Sequence, residues 1–486
     1  MDENSTFAIV DLETTAPFKE DGHIIQIGIS FVKKWKIINN FQTMVNPGVK
    51  IPNQIVDLTG IKNEDVQDAP YFEDLAAMIH DQLSEAVFVA HNVRYDFPYL
   101  NGEFTRIKMH RLRVEYVDTV QLAQIIFPTI PSYKLDELVQ HLGIKLPRHH
   151  RADQDAHATA QLFLKIHEQI DQLPVQTLAT LLDHSASLLG NTEKIFSFAK
   201  GQAQTAHHDP FAFKTPTVLP ATKKQLLDWI SDKKQFSNKK VLPSPILRPR
   251  QETFANIFQS KIANKKINAY SVFSRPRFGK SNAYLLLADQ LAEKSARVLI
   301  IEENVQRRKL LFQKSQVMLA AHKDRFAIPI TRKDFVDLNK FNESLSIEES
   351  PTRQLAKLRI LTWLAETKTG YLHELVNGFP EQLFSLFTDQ DPATDFDYYK
   401  QAVKVYNFPA IGITDLDSFF VTEREFSKNY DLFIFDVGKG FSDLLDHDLN
   451  FSNQSIFFTQ AEEYLKNWYS MRSFSNFESL LASLNN

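Results

Sequence analysis

Cysteine is absent from this sequence of 486 residues. Its absence excludes disulfide bonds, a thiolate nucleophile, an iron–sulfur cluster and cysteine-ligated zinc, so redox chemistry is not expected. Glycine is scarce, with 14 residues against 39 phenylalanines, and this balance indicates packed cores rather than low-complexity sequence. No apolar run approaches the roughly 18–20 residues that span a bilayer, and the acidic N-terminus lacks the pattern of a secretion signal. These absences predict a cytoplasmic protein with no membrane partner.

A strong excess of charge of either sign is missing as well. The chain has 55 Lys and Arg residues against 59 Asp and Glu residues, which gives a net charge of −4. Global charge therefore does not favour nonspecific binding to a polyanion such as nucleic acid. A polyanionic ligand would have to be held by a local basic patch or by metal ions.

Two series of alternating strands and helices predict two α/β domains. The length allows two to four domains at roughly 100–200 residues each. Six prolines at positions 210–249 interrupt regular structure between the two series. We therefore expect a first domain at 1–172, a helical extension and proline-rich connector at 173–246, and a second domain at 247–486.

The elements of each domain follow from apolar runs and from helical periodicity. In the first domain we predict strands at 7–12, 24–32, 41–45, 86–90 and 115–118, and helices at 70–84, 99–108, 120–126, 134–142 and 152–169. In the second we predict helices at 251–263 and 281–292, and strands at 269–273 and 297–302.

Carboxylates stand at the ends of two predicted strands. Asp11 and Glu13 are two residues apart, and the period of a strand places both on one face, where they could share a metal ion. Asp96 follows the buried strand 86–90 through a polar turn, and α/β folds collect ligands at such strand ends. Each feature has an ordinary alternative, namely a solvated strand end for the pair and a helix cap for Asp96.

A third polar segment lies at residues 146–157. Pro147 keeps the chain extended until a helix starts near Ala152, which puts His150 in the preceding loop and Asp155 in the first turns. Asp153 lies about 200° from Asp155 around this helix, so the two cannot face one site. One of them is then functional and the other a cap. The basic residues between 106 and 113 are interpreted as a solvated helix face, with phosphate contact as the alternative.

Taken in order, three motifs in these segments resemble a known family. The motifs are Asp11-Leu12-Glu13-Thr14-Thr15, His91-Asn92-x-x-Tyr95-Asp96 and His150-x-x-x-x-Asp155. They are similar to the exonuclease motifs of the DEDDh branch of the DnaQ-like superfamily. The resemblance implies an RNase H-like α/β exonuclease domain, and it selects His150 and Asp155 while leaving His149 and Asp153 as bystanders. Ala16 is a departure, because the family usually has glycine there and a Cβ would crowd a turn with positive φ.

The resemblance also implies a reaction. A metal-dependent 3′-to-5′ exonuclease would release mononucleotides from nucleic acid with a free 3′ end, and we expect single-stranded DNA. Two divalent ions, Mg²⁺ or Mn²⁺, would activate water and stabilise the leaving 3′ oxygen. By resemblance, Asp11 bridges both ions, Glu13 and Asp155 complete the first, and Asp96 orients the second through water. His150 would accept the proton of the attacking water.

The second domain contains a degenerate phosphate-binding loop. Residues 270–281 have the pattern of a strand, a loop and a helix start, but Ser274 replaces the first glycine of the motif and Pro276 removes a backbone N–H. The strand 431–436 ends in an acid, as a magnesium-holding motif does, yet Val437 stands where helicases carry the water-activating acid. An ATP site and a core strand without ligand both stay open; the site residues would be Gly279, Lys280, Ser281 and Asp436.

The order of the two halves resembles the DinG-type proteins of Gram-positive bacteria, in which a DnaQ-like domain is fused to a superfamily 2 helicase-like region. The resemblance implies a single P-loop (RecA-like) α/β lobe at 247–486, and the segments 247–251 and 411–415 are similar to segments of that family. The lobe lacks the cysteines with which many relatives hold an iron–sulfur cluster. Too few residues follow Asp436 for a second motor lobe, which needs on the order of 100–150. We therefore expect no motor activity.

Two other functions stay open on the sequence. One is a nucleic-acid-binding or docking protein whose nuclease has decayed. The intact set of acids and histidine disfavours it, because relaxed selection would spare that set only by chance. The other is an ATP-dependent DNA helicase, which Ser274, Pro276 and Val437 disfavour.

Overall fold

The structure of the protein, a computed structural model, contains two compact units. The described residues are 1–2, 4–17, 21–146, 150–198, 249–262, 269–273, 279–375, 387–388, 397–436 and 454–459. Within these limits the first unit comprises the residues up to 198 together with 336–375 and 387, and the second comprises the rest. The connector expected near 200–246 lies outside the described residues. No described helix is both long and apolar enough to cross a membrane.

The first unit is built on a five-stranded sheet with the order β3-β2-β1-β4-β5. Its strands are β1 (Thr6–Thr14), β2 (Ile24–Lys33), β3 (Lys36–Met44), β4 (Ala86–Ala90) and β5 (Tyr116–Asp118). Strand β2 is antiparallel to β1 and β3, whereas β1, β4 and β5 are parallel to one another. This order confirms the expected α/β class with an RNase H-like sheet.

Helices cover both faces of this sheet. They are α1 (Asn53–Thr59), α2 (Asn63–Val66), α3 (Phe72–Ser84), α4 (Val93–Arg106), α5 (Thr119–Ile126), α6 (Leu135–His141), α7 (Ala152–Ile170) and α8 (Val175–His184), followed by a 3-10 helix at Thr192–Phe198. Helix α7 packs along β1 and β2, while Phe88 of β4 clusters with Leu100 and Phe104 of α4. Because helices lie on both sides, β2 is buried along nearly its whole length.

The observed elements depart from the predicted ones at three places. Strand β3 begins at Lys36 rather than at residue 41; its first half is largely exposed at the edge of the sheet and contains Lys36, Asn39 and Asn40, so it lacks a strong apolar pattern. Helix α4 begins at Val93 rather than near residue 99, because its first turn is polar and Pro98 lies inside the helix, where proline ordinarily marks a start. Helices α1 and α2 were not predicted, since they are too short to establish a periodicity.

The second unit is built on a six-stranded parallel sheet with the order β6-β11-β10-β7-β9-β8. The strands are β6 (Ala269–Phe273), β7 (Val298–Glu302), β8 (Phe326–Ala327), β9 (Ile411–Asp415), β10 (Leu432–Asp436) and β11 (Gln454–Thr459). The register places Asp436, Glu302 and Asp415 side by side at the carboxyl ends of β10, β7 and β9. A row of acids therefore crosses one edge of this sheet.

The helices of the later sequence are shared between the two units. The second unit has α9 (Pro249–Ile262), α10 (Lys280–Glu293), α11 (Val305–Met318), α14 (Tyr398–Val403) and α15 (Leu416–Asn429). Helices α12 (Leu338–Leu345) and α13 (Pro351–Leu364) belong to the first unit. The sequence places these two helices inside the lobe expected at 247–486, whereas they pack with the residues of the first unit.

Candidate functional site

A cleft of about 560 Å³ opens in the first unit at the carboxyl ends of β1 and β4 and at the start of α7. It is lined by Asp11, Leu12, Glu13, Thr14, Ala16, Pro17, Ile55, Leu58, Thr59, His91, Asn92, Tyr95, Asp96, Lys134, Leu135, Asp136, His150 and Asp155. The five residues that the sequence singled out as catalytic all line this cleft, although they come from three separate segments.

The carboxylates of the cleft lie close enough to share a cation. Asp11 and Glu13 project from the same face of β1, and the first turns of α7 bring Asp155 against them. One carboxylate oxygen from each of these three residues lies within 4.8 Å of the other two. Asp96, in the first turn of α4, is buried beside them. Carboxylate oxygens at this spacing form a donor set that suits a hard divalent cation.

Ionisation of these carboxyls is opposed by the surrounding protein. Burial raises the pKa of Asp11 well above its ordinary value, and the nearby carboxylates of Asp96, Asp155 and Glu13 add to the effect. Burial and then Asp155 raise the pKa of Glu13 to about 7. Burial also raises the pKa of Asp96 to about 8, despite hydrogen bonds from backbone N–H groups. A bound cation would remove this opposition, because it favours the charged forms.

The start of α7 is fixed by a glutamine from β2. Gln26, which is buried, accepts a hydrogen bond from the backbone N–H of Ala152 at 3.0 Å and donates one to Asp153 at 3.1 Å. A Cβ at Gly28 would lie 2.0 Å from the carbonyl oxygen of Ala152, so only glycine permits this approach of helix and strand. Asp153 thus holds the helix to the sheet and does not line the cleft.

The start of α4 is fixed in a similar way. Asn92 has a positive φ of 78°, and the next residue, Val93, donates its backbone N–H to the buried carboxylate of Asp118 at 2.8 Å. The turn places Tyr95 with its hydroxyl 2.8 Å from that of Thr14. This contact ties the helix that carries Asp96 to the end of β1.

The turn after β1 tolerates alanine at position 16. Ala16 is not among the residues with positive φ, so the expected crowding does not occur. Its carbonyl oxygen accepts a hydrogen bond from Tyr99 at 2.9 Å. Arg106 holds the far side of the turn, donating to His23 at 2.7 Å and to the carbonyl of Gly22 at 3.0 Å. None of the basic residues between 106 and 113 lines the cleft.

His150 lies at the exposed rim of the cleft. Its backbone has a positive φ of 59°, a conformation that non-glycine residues adopt rarely and that is common at functional sites. Its neighbour His149, expected to be a bystander, lies outside the described residues.

Several residues of the cleft were not singled out by sequence reasoning. Tyr95 and His91 were part of a quoted motif, but no role was assigned to them. One wall is made by Ile55 and Leu58 of the unpredicted helix α1, and Leu58 is 52% exposed. Sequence reasoning had no signal for this wall, because helix α1 is too short to show a periodicity.

The acids of the second unit have a different environment. Lys280, the first residue of α10, forms an ion pair with Oδ1 of Asp436. The buried hydroxyl of Tyr284 lies 2.6 Å from Glu302 and 3.1 Å from Oδ2 of Asp436. Gly279 has a positive φ of 78° at the helix start, and the loop residues 274–278 and Val437 lie outside the described residues. Ser281 follows Lys280 in α10.

The class of the first unit is defined by its family match. Residues 8–163 match the model of the family described as Exonuclease, so this unit contains an exonuclease domain. Relatives extend the similarity beyond that domain. The chain is 29% identical over 444 residues to the 3′-5′ exonuclease DinG of Staphylococcus haemolyticus (strain JCSC1435), covering 88% of this chain and 49% of the relative. The resemblance of the sequence to exonucleases and to DinG-type proteins is thereby confirmed.

The chain is also similar to other proteins. The 3′-5′ exonuclease DinG of Staphylococcus aureus (strain USA300) is 30% identical over 383 residues, covering 76% of this chain and 42% of the relative. The chain spans about half the length of the curated relatives it matches. The solved structure of Exonuclease X in complex with 5′ overhanging duplex DNA is 27% identical, with a TM-score of 0.28, and covers 33% of this chain and 91% of that chain.

Proposed function

We propose that this chain is a divalent-metal-dependent 3′-to-5′ exonuclease that releases mononucleotides from single-stranded DNA. The observation that supports the proposal is the convergence of Asp11, Glu13, Asp96, His150 and Asp155 on one cleft. These are the residue types that phosphodiester hydrolysis requires, and they lie within an exonuclease domain.

The cleft fits a metal by the chemistry of its donors. Its carboxylate oxygens are hard ligands, which suit Mg²⁺ or Mn²⁺, and their raised pKa values mean that a cation would stabilise the ionised site. Asp11, Glu13 and Asp155 would hold one ion, and Asp96 would help to hold a second. When bound, the ions would lower the pKa of the attacking water and offset charge on the leaving 3′ oxygen.

The protein's own side chains would carry out the proton transfer, orient Asp96 and contact the substrate base. His150, at the open rim, takes the proton from the attacking water, since an imidazole nitrogen can act as a general base. The Tyr95–Thr14 contact keeps α4 against β1 and so orients Asp96. Ile55 and Leu58 give the cleft an apolar wall against which a base can pack.

Digestion of end-labelled oligonucleotides tests this proposal. A 5′-labelled single-stranded DNA should yield a ladder shortened from its 3′ end with Mg²⁺ or Mn²⁺, and a 3′-labelled strand should release labelled mononucleotide at once. EDTA should abolish both reactions. The matching RNA strand, tested in parallel, should be degraded more slowly. Digestion that persists in EDTA, or that starts at the 5′ end, would refute the assignment.

We also propose that the second unit is a helicase-like lobe without motor activity. The support is that Lys280 and Tyr284 already bond both carboxylate oxygens of Asp436, so the groups expected to hold a nucleotide and its magnesium bond one another. Calorimetric titration of ATP·Mg²⁺ should give no saturable heat in the wild type. Binding that disappears in Lys280→Ala would establish a nucleotide site, and ATP turnover would overturn the proposal.

A further inference from the structure

Helix α13 is an integral part of the first unit, although it lies far from the exonuclease domain in the sequence. It packs against α5 and α8. Its residues from 356 to 364 are all buried, including the charged Lys357 and Arg359. Thr362 donates a hydrogen bond to the carbonyl of Ile125, and Gln354 donates one to the carbonyl of His184 at 3.1 Å. The helix therefore forms a core that the exonuclease segment shares.

The side chain of Arg359 reaches the loop between α5 and α6. Its guanidinium donates to the carbonyl of Pro128 at 3.3 Å and to the hydroxyl of Tyr133 at 3.4 Å, and it lies 5.5 Å from the centre of the Tyr133 ring. Tyr133 in turn donates its hydroxyl hydrogen to the carbonyl of Phe127 at 2.8 Å. The arginine thus contacts both ends of this loop, which we call the 127–133 loop.

The residues that follow the 127–133 loop form a wall of the cleft. The carbonyl of Tyr133 accepts a hydrogen bond from Nε2 of His91 at 2.9 Å, and His91 lines the cleft. The next three residues, Lys134, Leu135 and Asp136, line it as well and begin α6. A shift of Tyr133 would move both His91 and the start of α6, so the position of this wall depends on Tyr133.

We infer that Arg359 is a positioning residue for the exonuclease cleft, acting through Tyr133 on the wall formed by His91 and Lys134–Asp136. The inference rests on the proposed exonuclease function. A buried guanidinium is costly to desolvate, and an apolar side chain of similar size would fill the same space without that cost. What the guanidinium adds is a directional contact to two points of one loop. Arg359 contacts none of the proposed metal-holding carboxylates, so it should affect substrate binding rather than the chemical step.

The test compares Arg359→Met and Arg359→Lys with Arg353→Met in the full chain. Arg353 lies on the same helix, but its side chain is half exposed and pairs with Glu349 at 3.5 Å. For digestion of single-stranded DNA, Arg359→Met should raise KM about tenfold with kcat changed less than threefold. Arg359→Lys should bring KM part of the way back to the wild-type value, because lysine keeps one donor nitrogen and the positive charge. Arg353→Met should have the same KM and kcat as the wild type.

A double-mutant cycle with Tyr133→Phe separates positioning from general destabilisation. If Arg359 acts through Tyr133, the double variant should have the KM of the worse single variant, whereas independent effects would multiply. Melting temperatures are measured alongside, and Tyr133→Phe, which removes only a hydroxyl, keeps the test valid if Arg359→Met does not fold. An unchanged KM in Arg359→Lys and Tyr133→Phe, or multiplying effects, would overturn the inference.

A second readout separates this inference from the proposed function. The same substitutions are made in an Asp11→Asn background, and binding of a fluorescein-labelled single strand is followed by anisotropy without cleavage. The Kd should rise about tenfold with Arg359→Met. A wild type that digests DNA while Arg359→Met leaves both KM and Kd unchanged would refute the positioning role and leave the exonuclease intact.

Discussion

Each of the two units places a group of acidic residues at the carboxyl ends of strands. The two groups differ in whether cationic side chains of the protein pair with them. In the first unit no cation of the protein pairs with the carboxylates of Asp11 or Asp96 among the described ion pairs, and their pKa values are raised. In the second unit, Lys280 pairs with Asp436 and Arg308 pairs with Asp415 at 2.6 Å. Among the described ion pairs, Asp436 and Asp415 therefore have cationic partners, whereas Asp11 and Asp96 do not.

This difference indicates how the two sites would respond to ligands. The carboxylates of Asp11 and Asp96, which have no described ion pair, would gain stability from an external cation, whereas a carboxylate already paired with a cation of the protein must break that contact before it can accept one. Substitutions of acidic residues should then have different consequences in the two units. Loss of an acid in the first unit should cost activity, and loss of the paired Asp415 in the second should cost stability.

The largest effect is expected for Asp11→Asn. The substitution removes a central carboxylate of the proposed metal site, so kcat for digestion of single-stranded DNA should fall by roughly 10³-fold or more. The melting temperature without divalent ions should stay the same or rise, because one of several mutually repelling carboxylates is gone. Gel-based digestion and thermal unfolding measure the two quantities. Full activity, or a large loss of stability, would contradict this view of the cleft.

His150→Ala should have the next largest effect. Loss of the general base should lower kcat by roughly 10²–10⁴. His149→Ala is the matched control and should retain activity. Metal dependence should be unchanged in both variants, because neither histidine is a proposed ligand. Equal losses in the two variants would mean that the assignment of the base is wrong.

The parts of the molecule that could be predicted from sequence are those determined by local geometry. The alternation of side chains in a strand placed Asp11 and Glu13 on one face. The angle around a helix separated Asp153 from Asp155, and Asp153 indeed contacts Gln26 outside the cleft. Strand β4 was predicted with its observed bounds because it is short, apolar and buried throughout.

The parts that could not be predicted depend on contacts between distant segments. Arg359 contacts Pro128, 231 positions away in the sequence, and no periodicity reveals such a contact. Helix α13 falls within the range 247–486 that was expected to form the second domain. Lys357 and Arg359 are buried in this helix, and charged residues do not ordinarily mark core positions.

In the second unit, Asp415→Asn should cost stability rather than activity. It leaves the guanidinium of Arg308, only 15% exposed, without its charged partner, and we expect a loss of about 2–3 kcal/mol in the free energy of unfolding. Glu303→Gln is the control, because its pair with Arg307 is exposed and should be worth at most about 0.5 kcal/mol. Denaturant unfolding measures both. Equal losses in the free energy of unfolding for the two variants would indicate that Asp415 does not stabilise the fold by pairing with Arg308.

The smallest effect is a pH-dependent gain in stability, which we expect for Glu302→Gln. Burial, with Asp436 nearby, raises the pKa of Glu302 from 4.5 to about 7. Between these values the folded protein keeps a proton that the unfolded chain releases, so the stability of the wild type falls as the pH rises through this window. Glutamine cannot ionise, and its oxygen can still accept the hydrogen bond from Tyr284. The variant should therefore gain stability relative to the wild type as the pH rises from about 4.5 to about 7.

Melting temperatures of both proteins across this pH range measure that gain. Glu303→Gln, whose side chain is partly exposed, should follow the wild type at every pH. Parallel curves for Glu302→Gln and the wild type would mean that Glu302 is ionised in the folded protein at low pH. The carboxylates of Glu302 and Asp436 would then both be charged beside Lys280, and that edge would carry more negative charge than its own cation balances. The second unit would in that case resemble the first, and a divalent cation should raise its melting temperature.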